Sequence, residues 1–260
     1  MESPLVTATR AQLGKFLSSD SVRPRLVNAL QSTFWVPDLR DCLALKEVIT
    51  SKAPCEVPQI TISSEDVVVE SIKCIYEARC RPIIHYPAHL ESPGGQWWKE
   101  EADLETDLCL RSTLSLSLVE RSRNYPLSPW SLLYCPDTFF FRDSQGKMYK
   151  DRDTTWLPVM ASGVRNRLNL KRDGHLRTGD ARHLREYYQG LFFMAEQFRH
   201  DAVILYGLAG VDDLFGYPLE DVALALASSV QSTCLKHIVL CVPFWEEKQR
   251  EVVRRLFKKV

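Results

Sequence analysis

The sequence predicts a three-layer α/β/α domain with an N-terminal helical extension, and three observations predict it. Short apolar runs such as Ile83-Ile84-His85-Tyr86, Ala202 to Tyr206 and His237 to Val242 read as strands. Segments of helical period separate them, and loops containing Gly or Pro mark the junctions. Strands that alternate with helices of this length need crossover connections, which cover both faces of a sheet. The 260 residues are 45% hydrophobic, enough for one sizeable core. With no internal repeat or low-complexity linker, residues 59–260 read as one domain and residues 1–58 as a helical accessory segment.

Taken in order, Thr9 to Leu45 carries Leu13, Phe16, Leu17, Leu26, Leu30 and Phe34 at helical intervals. Gln59 to Ile62 predicts a strand, and Ser64-Glu65-Asp66 a helix start before Val67 to Ala78. After Ile83 to Tyr86 comes a loop of Pro, Gly and polar residues, then a long helix over Lys99 to Arg121. Thr138 to Arg142 and Met148-Tyr149 read as a hairpin turning at Asp143 to Lys147, and Trp156 to Ala161 as a further strand. The basic stretch Arg165 to Gly179 reads as an exposed loop before a helix from Asp180 to His200. The chain closes with a helix over Pro218 to Ser232 and an amphipathic helix over Trp245 to Lys258.

Charge does not announce a partner. Lys plus Arg (33) equals Asp plus Glu (33), so no global field favours sequence-specific nucleic acid or an anionic membrane. The N-terminus lacks a basic stretch followed by an apolar core, and no run nears ~18 apolar residues. A cytoplasmic or nuclear location is therefore expected. The eight cysteines form no C-x-x-C pair, so most are expected to be buried free thiols; neither a metal nor a cofactor is expected.

Two strand ends carry the functional argument: Tyr86 to Gln96, and Tyr206 to Tyr217. Ligands of open α/β sheets settle at such carboxyl ends, where glycine-rich turns and helix N-termini offer N–H groups to phosphate oxygens. In the first loop the sequence runs His85-Tyr86-Pro87-Ala88-His89-Leu90-Glu91-Ser92-Pro93-Gly94-Gly95-Gln96, then seven residues, then Leu104-Glu105-Thr106-Asp107-Leu108-Cys109-Leu110-Arg111-Ser112. Tyr134-Cys135-Pro136-Asp137 leads to Phe141-Arg142-Asp143, and Phe215 precedes Pro218-Leu219-Glu220-Asp221-Val222-Ala223.

These four blocks, in this order over about Ile83 to Val242, resemble the microbial poly(ADP-ribose) glycohydrolase family. The resemblance implies a macrodomain with a mixed sheet, a partner that is ADP-ribose or an ADP-ribosylated protein, and hydrolysis of the ribosyl linkage. It further implies ligand contacts at His89, Pro93, Gly94, Gly95, Gln96, Gly207, Gly210 and Phe215. The family's early asparagine corresponds to His89 or Tyr86, depending on alignment.

The departures bear on activity. The second glutamate of the family's Gln-Glu-Glu, which protonates the scissile ribosyl oxygen, corresponds to Thr106, and a hydroxyl is no general acid at neutral pH. Glu105 and Asp107 are the candidate catalytic survivors, although neighbours on a helix differ by about 100° in direction. Reading Lys99-Glu100-Glu101 as the motif leaves only two residues after Gln96, Trp97 and Trp98, too few for the family loop. Trp97 and Trp98 read as anchors of that loop. Val211 and Asp213 occupy the family's second-loop glycine positions with Asp212 between them, and Gln96 stands for a third glycine of the first loop; side chains there hinder backbone approach to a diphosphate, and carboxylates repel it. Three other chemistries fit single features: a divalent cation among Asp212, Asp213, Glu105 and Asp107, a thiol mechanism at Cys109 with His85 or His89, and a polyanion on the basic loop. A non-catalytic reader of ADP-ribose, or a module for a protein partner, is the alternative to the hydrolase.

Overall fold

The computed structural model describes residues 3–49, 56–99, 103–164, 170–208, 211 and 217–258. Its strands are β1 (Phe34–Val36), β2 (Gln59–Ser63), β3 (Pro82–Ala88), β4 (Leu132–Phe140), β5 (Thr155–Gly163), β6 (Ala202–Tyr206) and β7 (His237–Cys241). Its helices are α1 (Pro4–Ser18), α2 (Arg23–Gln31), α3 (Leu39–Ile49), α4 (Val67–Tyr76), α5 (Leu104–Arg111), α6 (Leu114–Glu120), α7 (Thr178–Gln197), α8 (Leu219–Val230) and α9 (Glu247–Phe257). Two compact units emerge, Met1–Val36 with Tyr86–Gly163, and Pro37–His85 with Val164–Val260.

In the first unit β1, β4 and β5 pair antiparallel in that order, with Tyr134 opposite both Phe34 and Met160. β4 tolerates Pro136, which has no N–H to give, because its register with β5 shifts between Cys135 and Thr138. Helix α1 starts where Ser3 accepts the Val6 N–H and Pro4 fixes the first turn. Its buried Val6, Thr9 and Leu13 share one face. Leu13 joins Phe139 and Phe141 in a cluster that Phe16, Val22, Leu116 and Trp156 extend, and Phe16 meets Phe139 edge-on at 5.0 Å. The N-terminal helices thus cover the β4–β5 hairpin.

In the second unit β3, β6, β7 and β2 run parallel in that order, Pro82–His85 pairing with Ala202–Leu205 and Ala202–Tyr206 with His237–Cys241. Helix α4 connects β2 to β3, and α8 lies between β6 and β7, as parallel pairing requires. Asp66 caps α4 by accepting the Val68 N–H at 2.9 Å. Helix α7 buries Leu184, Tyr187, Tyr188, Leu191, Phe192 and Ala195, as its period predicts. At Gly190 a Cβ would come 3.0 Å from Leu39 Cβ, so glycine permits the close approach of α3 and α7. The strand pairing is mixed and the architecture is the α/β type expected, with no described helix long and apolar enough to cross a membrane.

Two expectations are corrected. The helix expected over Lys99 to Arg121 is two, α5 and α6, because Ser112 turns extended to bridge Phe140. Its hydroxyl stitches the break, donating to Leu108 O at 2.7 Å and accepting the Leu114 N–H. The hairpin partner of β4 is β5, and Met148 makes only an isolated bridge to Arg142. β1 is a strand within the Thr9 to Leu45 stretch, which by sequence reads as helical and then irregular. Among the described residues six cysteines are free and five of these buried, whereas Cys234 is disulfide-bonded.

Candidate functional site

The loop that closes β3 sits in the first unit and is built on two glycines with left-handed backbone, Gly94 (φ 73°) and Gly95 (φ 56°). Side chains are excluded there for two reasons, conformation and space. A Cβ on Gly95 would lie 2.4 Å from the His89 ring, and one on Gly94 would lie 2.9 Å from Trp97 Cδ1 and 3.4 Å from Cys109 Sγ. The turn is closed internally, Gly95 N–H donating to Ser92 O at 3.0 Å and Trp97 N–H to Gly94 O at 3.2 Å. Trp97 is buried beneath the Arg10 guanidinium, 5.7 Å from its ring centre, and anchors the loop as expected. Trp98 is 39% exposed.

Helix α5 supplies the carboxyl group. Asp103 caps the helix, accepting from Thr106 N–H at 2.7 Å, and the Thr106 hydroxyl donates to its other oxygen at 3.0 Å. The cap starts α5 one residue before Leu104, and the contacts of Glu105 and Asp103 with Tyr86 and His89 join that first turn to β3 and its loop. Glu105 is 1% exposed; Oε1 accepts the Tyr86 hydroxyl at 3.0 Å and Oε2 the His89 N–H at 2.8 Å. Burial pushes its pKa up to about 7, against the His89 and Tyr86 donors that favour the ionised form. Asp103 lies 3.3 Å from His89 Nε2; burial raises its pKa, but His89 and Thr106 outweigh that and hold it below the usual carboxylate value. Two carboxyl groups close in sequence are thus driven apart, one toward holding its proton and one toward releasing it.

The structure therefore gathers His89, Pro93, Gly94, Gly95, Gln96 and Glu105 at the end of β3. Asp107 does not join them: two positions along the helix it faces away, ion-paired with Arg111 at 2.8 Å. Thr106 is also committed, to the helix cap. In the second unit, Gly207 (φ 75°) follows β6 and donates its N–H to Cys241 O at 2.9 Å. Gly210, Phe215, Asp212, Asp213, Glu100 and Glu101 lie outside the described residues, as do residues 165–169 of the basic loop. Asp221, in the first turn of α8, accepts the Leu176 N–H at 2.6 Å and meets His175 Nδ1 at 3.1 Å.

The thiol reading finds no support in the geometry. Burial raises the Cys109 thiol far above its ordinary range and lowers His85 to about 3, and His85 Nε2 is engaged with the Tyr187 hydroxyl at 3.1 Å. One further group, Tyr125, is not marked by the sequence. The Leu127 N–H donates to Leu90 O at 2.7 Å, which brings Tyr125 beside the loop. Tyr125 Oη is buried without a hydrogen-bond partner among the described residues, and so is Gln96 Oε1. Nothing in the local sequence distinguishes Tyr125, since its placement follows from the fold.

No family model matches the chain, and no curated protein matches it in sequence. Solved structures do match in shape. The poly(ADP-ribose) glycohydrolase from Thermomonospora curvata aligns with TM-score 0.74 at 20% identity, covering 98% of this chain and 98% of that one. Its complex with the inhibitor ADP-HPD aligns with TM-score 0.73 at 20% identity over the same shares. The glycohydrolase from Deinococcus radiodurans in complex with ADP-ribose aligns with TM-score 0.72 at 18% identity, covering 91% of this chain and 98% of that one. The chain thus has the fold of these bacterial poly(ADP-ribose) glycohydrolases.

Proposed function

We propose that this chain is a macrodomain of the microbial poly(ADP-ribose) glycohydrolase type that recognises ADP-ribose or an ADP-ribosylated protein. Residues 59–260 form the macrodomain in this reading and residues 1–58 its helical accessory, acting in the cytoplasm or nucleus. The observation that carries it is the Pro93 to Gln96 turn, whose two left-handed glycines leave backbone in place of side chains at the carboxyl end of β3. Support comes from a fold shared with glycohydrolases solved with ADP-ribose and ADP-HPD. The partnerless Gln96 Oε1 and Tyr125 Oη supply polar atoms that a ligand or ordered water would satisfy.

Hydrolysis is the second reading, and the carboxyl of Glu105 favours it. A group with pKa near 7 holds a proton and can release it at neutral pH, as protonation of a leaving ribosyl oxygen demands. Its two oxygens are held by Tyr86 and His89, so delivery of that proton requires these bonds to loosen. Glu105→Gln keeps both bonds in reach, since an amide accepts from His89 N–H and donates to the Tyr86 oxygen. The expected result on ADP-ribosylated substrate is turnover abolished with ADP-ribose affinity nearly intact; unchanged turnover excludes the role and leaves a reader of ADP-ribose.

A further inference from the structure

Outside the β3 loop the first unit contains a cavity of about 310 Å³ lined by Leu5, Asp107, Arg111, Arg142, Ser144 and Gln145, among others. We infer that it is a binding site for a small oxyanion, a carboxylate or phosphate group held by Arg142. The inference is independent of the ADP-ribose reading.

Arg142 is a buried guanidinium without a counter-ion among the described residues. It is 4% exposed and stands two residues beyond the end of β4. Its Nη1 donates to the Thr9 hydroxyl and, at 2.8 Å, to Leu110 O, and its guanidinium lies 5.2 Å from the Phe141 ring centre. All three partners are neutral. Among the described residues no carboxylate comes within ion-pair distance of it, and its Nε and Nη2 donate to no protein acceptor.

The nearby carboxylates are committed elsewhere. Asp107 pairs with Arg111 at 2.8 Å. Asp143 accepts the N–H groups of Gln145 and Lys147, each at 2.9 Å, which shapes the turn over the cavity. Arg111 and Arg142 against Asp107 leave the lining with one net positive charge. Burial holds the Arg142 pKa below the ordinary arginine value, with no charged neighbour opposing it.

An isolated buried charge is costly unless paired. The carbonyl end of α5, where Leu110 O lies, carries partial negative charge and offsets part of that cost. It does so as a dipole and leaves the unit charge uncompensated. The guanidinium fork presents parallel N–H groups that match two oxygens of a carboxylate or phosphate. The exposed Ser144 and Gln145 stand at the mouth with a hydroxyl and an amide to offer, and Leu5 and Leu110 give one apolar wall. Volume at this scale admits a small organic anion as readily as the free ion.

The test is thermal unfolding of the full chain in sodium phosphate and, separately, sodium malonate, with chloride holding ionic strength constant. A saturable rise in Tm of about 3–6 °C at ten times Kd is expected from one of the two, and which one identifies the oxyanion. Gln145→Glu, in the exposed turn, places a carboxylate at the mouth and should weaken that response at least tenfold. Arg142→Gln should remove it, and if that variant does not fold, Gln145→Glu still decides. No rise beyond chloride with either anion overturns the inference. So does a rise that Gln145→Glu leaves unchanged and Gly94→Glu removes, which assigns the anion to the β3 loop.

Discussion

Replacing Glu105 by glutamine changes the pH dependence of stability, with a sign and size that follow from its surroundings. Burial raises the carboxyl pKa from an ordinary 4.5 to about 7. Between those values the folded chain keeps a proton that the unfolded chain releases. The stabilisation is fully present below about pH 4.5 and is lost as pH rises through about 7. At roughly 1.4 kcal/mol per pH unit, the loss amounts to about 3 kcal/mol. Two buried histidines act oppositely: burial lowers His85 to about 3 and His200 to about 4, so both add stability as pH rises toward 6.5. The wild-type curve mixes the three, and the difference between wild type and Glu105→Gln isolates one. Urea unfolding of both proteins from pH 4.5 to 8 should show that difference fall by about 3 kcal/mol to the wild type's disadvantage, levelling off above pH 7. A difference that stays flat, or that grows with pH, would mean that Glu105 is ionised throughout and that the burial argument fails.

Gly95→Ala forces a methyl to within 2.4 Å of the His89 ring at φ 56°, and a loss of about 1–3 kcal/mol in denaturant unfolding is expected. Asp103→Ala removes the α5 cap and the His89 partner together; about 1–2 kcal/mol of stability should go with them, read from the same urea curves. If the resemblance to the microbial glycohydrolases holds at this position, Thr106→Glu supplies a carboxylic acid where their general acid is matched. Turnover of ADP-ribosylated protein should rise by about 10²-fold or more, and no rise would mean the position is misassigned.

What was legible in the sequence was what one element decides by itself. β3, β6 and β7 stood out because wholly buried strands read as continuous apolar runs, and α7 because its buried face repeats at helical period. β1 was hidden: it has three residues, and Phe34 and Trp35 are exposed, so it carries no inward alternation. The break between α5 and α6 was hidden as well, because Ser112 leaves the helix to meet Phe140, a residue distant in sequence. The site divides the same way. Gly94 and Gly95 announced a turn, and Glu105 was visible as a carboxylate. Its burial, its two donors and the turning away of Asp107 depend on how α5 packs against β3 through Tyr86 and His89, residues distant in sequence. Spacing alone could not separate Glu105 from Asp107, whereas their partners in the fold do.

The most direct test of the account is calorimetric titration of the whole chain with ADP-ribose, beside Gly94→Glu, whose side chain would enter the space of Trp97. Thermal unfolding of the variant establishes that it is folded. The wild type should bind with micromolar affinity, and the folded variant should lose that binding. No heat of binding at millimolar ADP-ribose, or equal binding by both proteins, would contradict it.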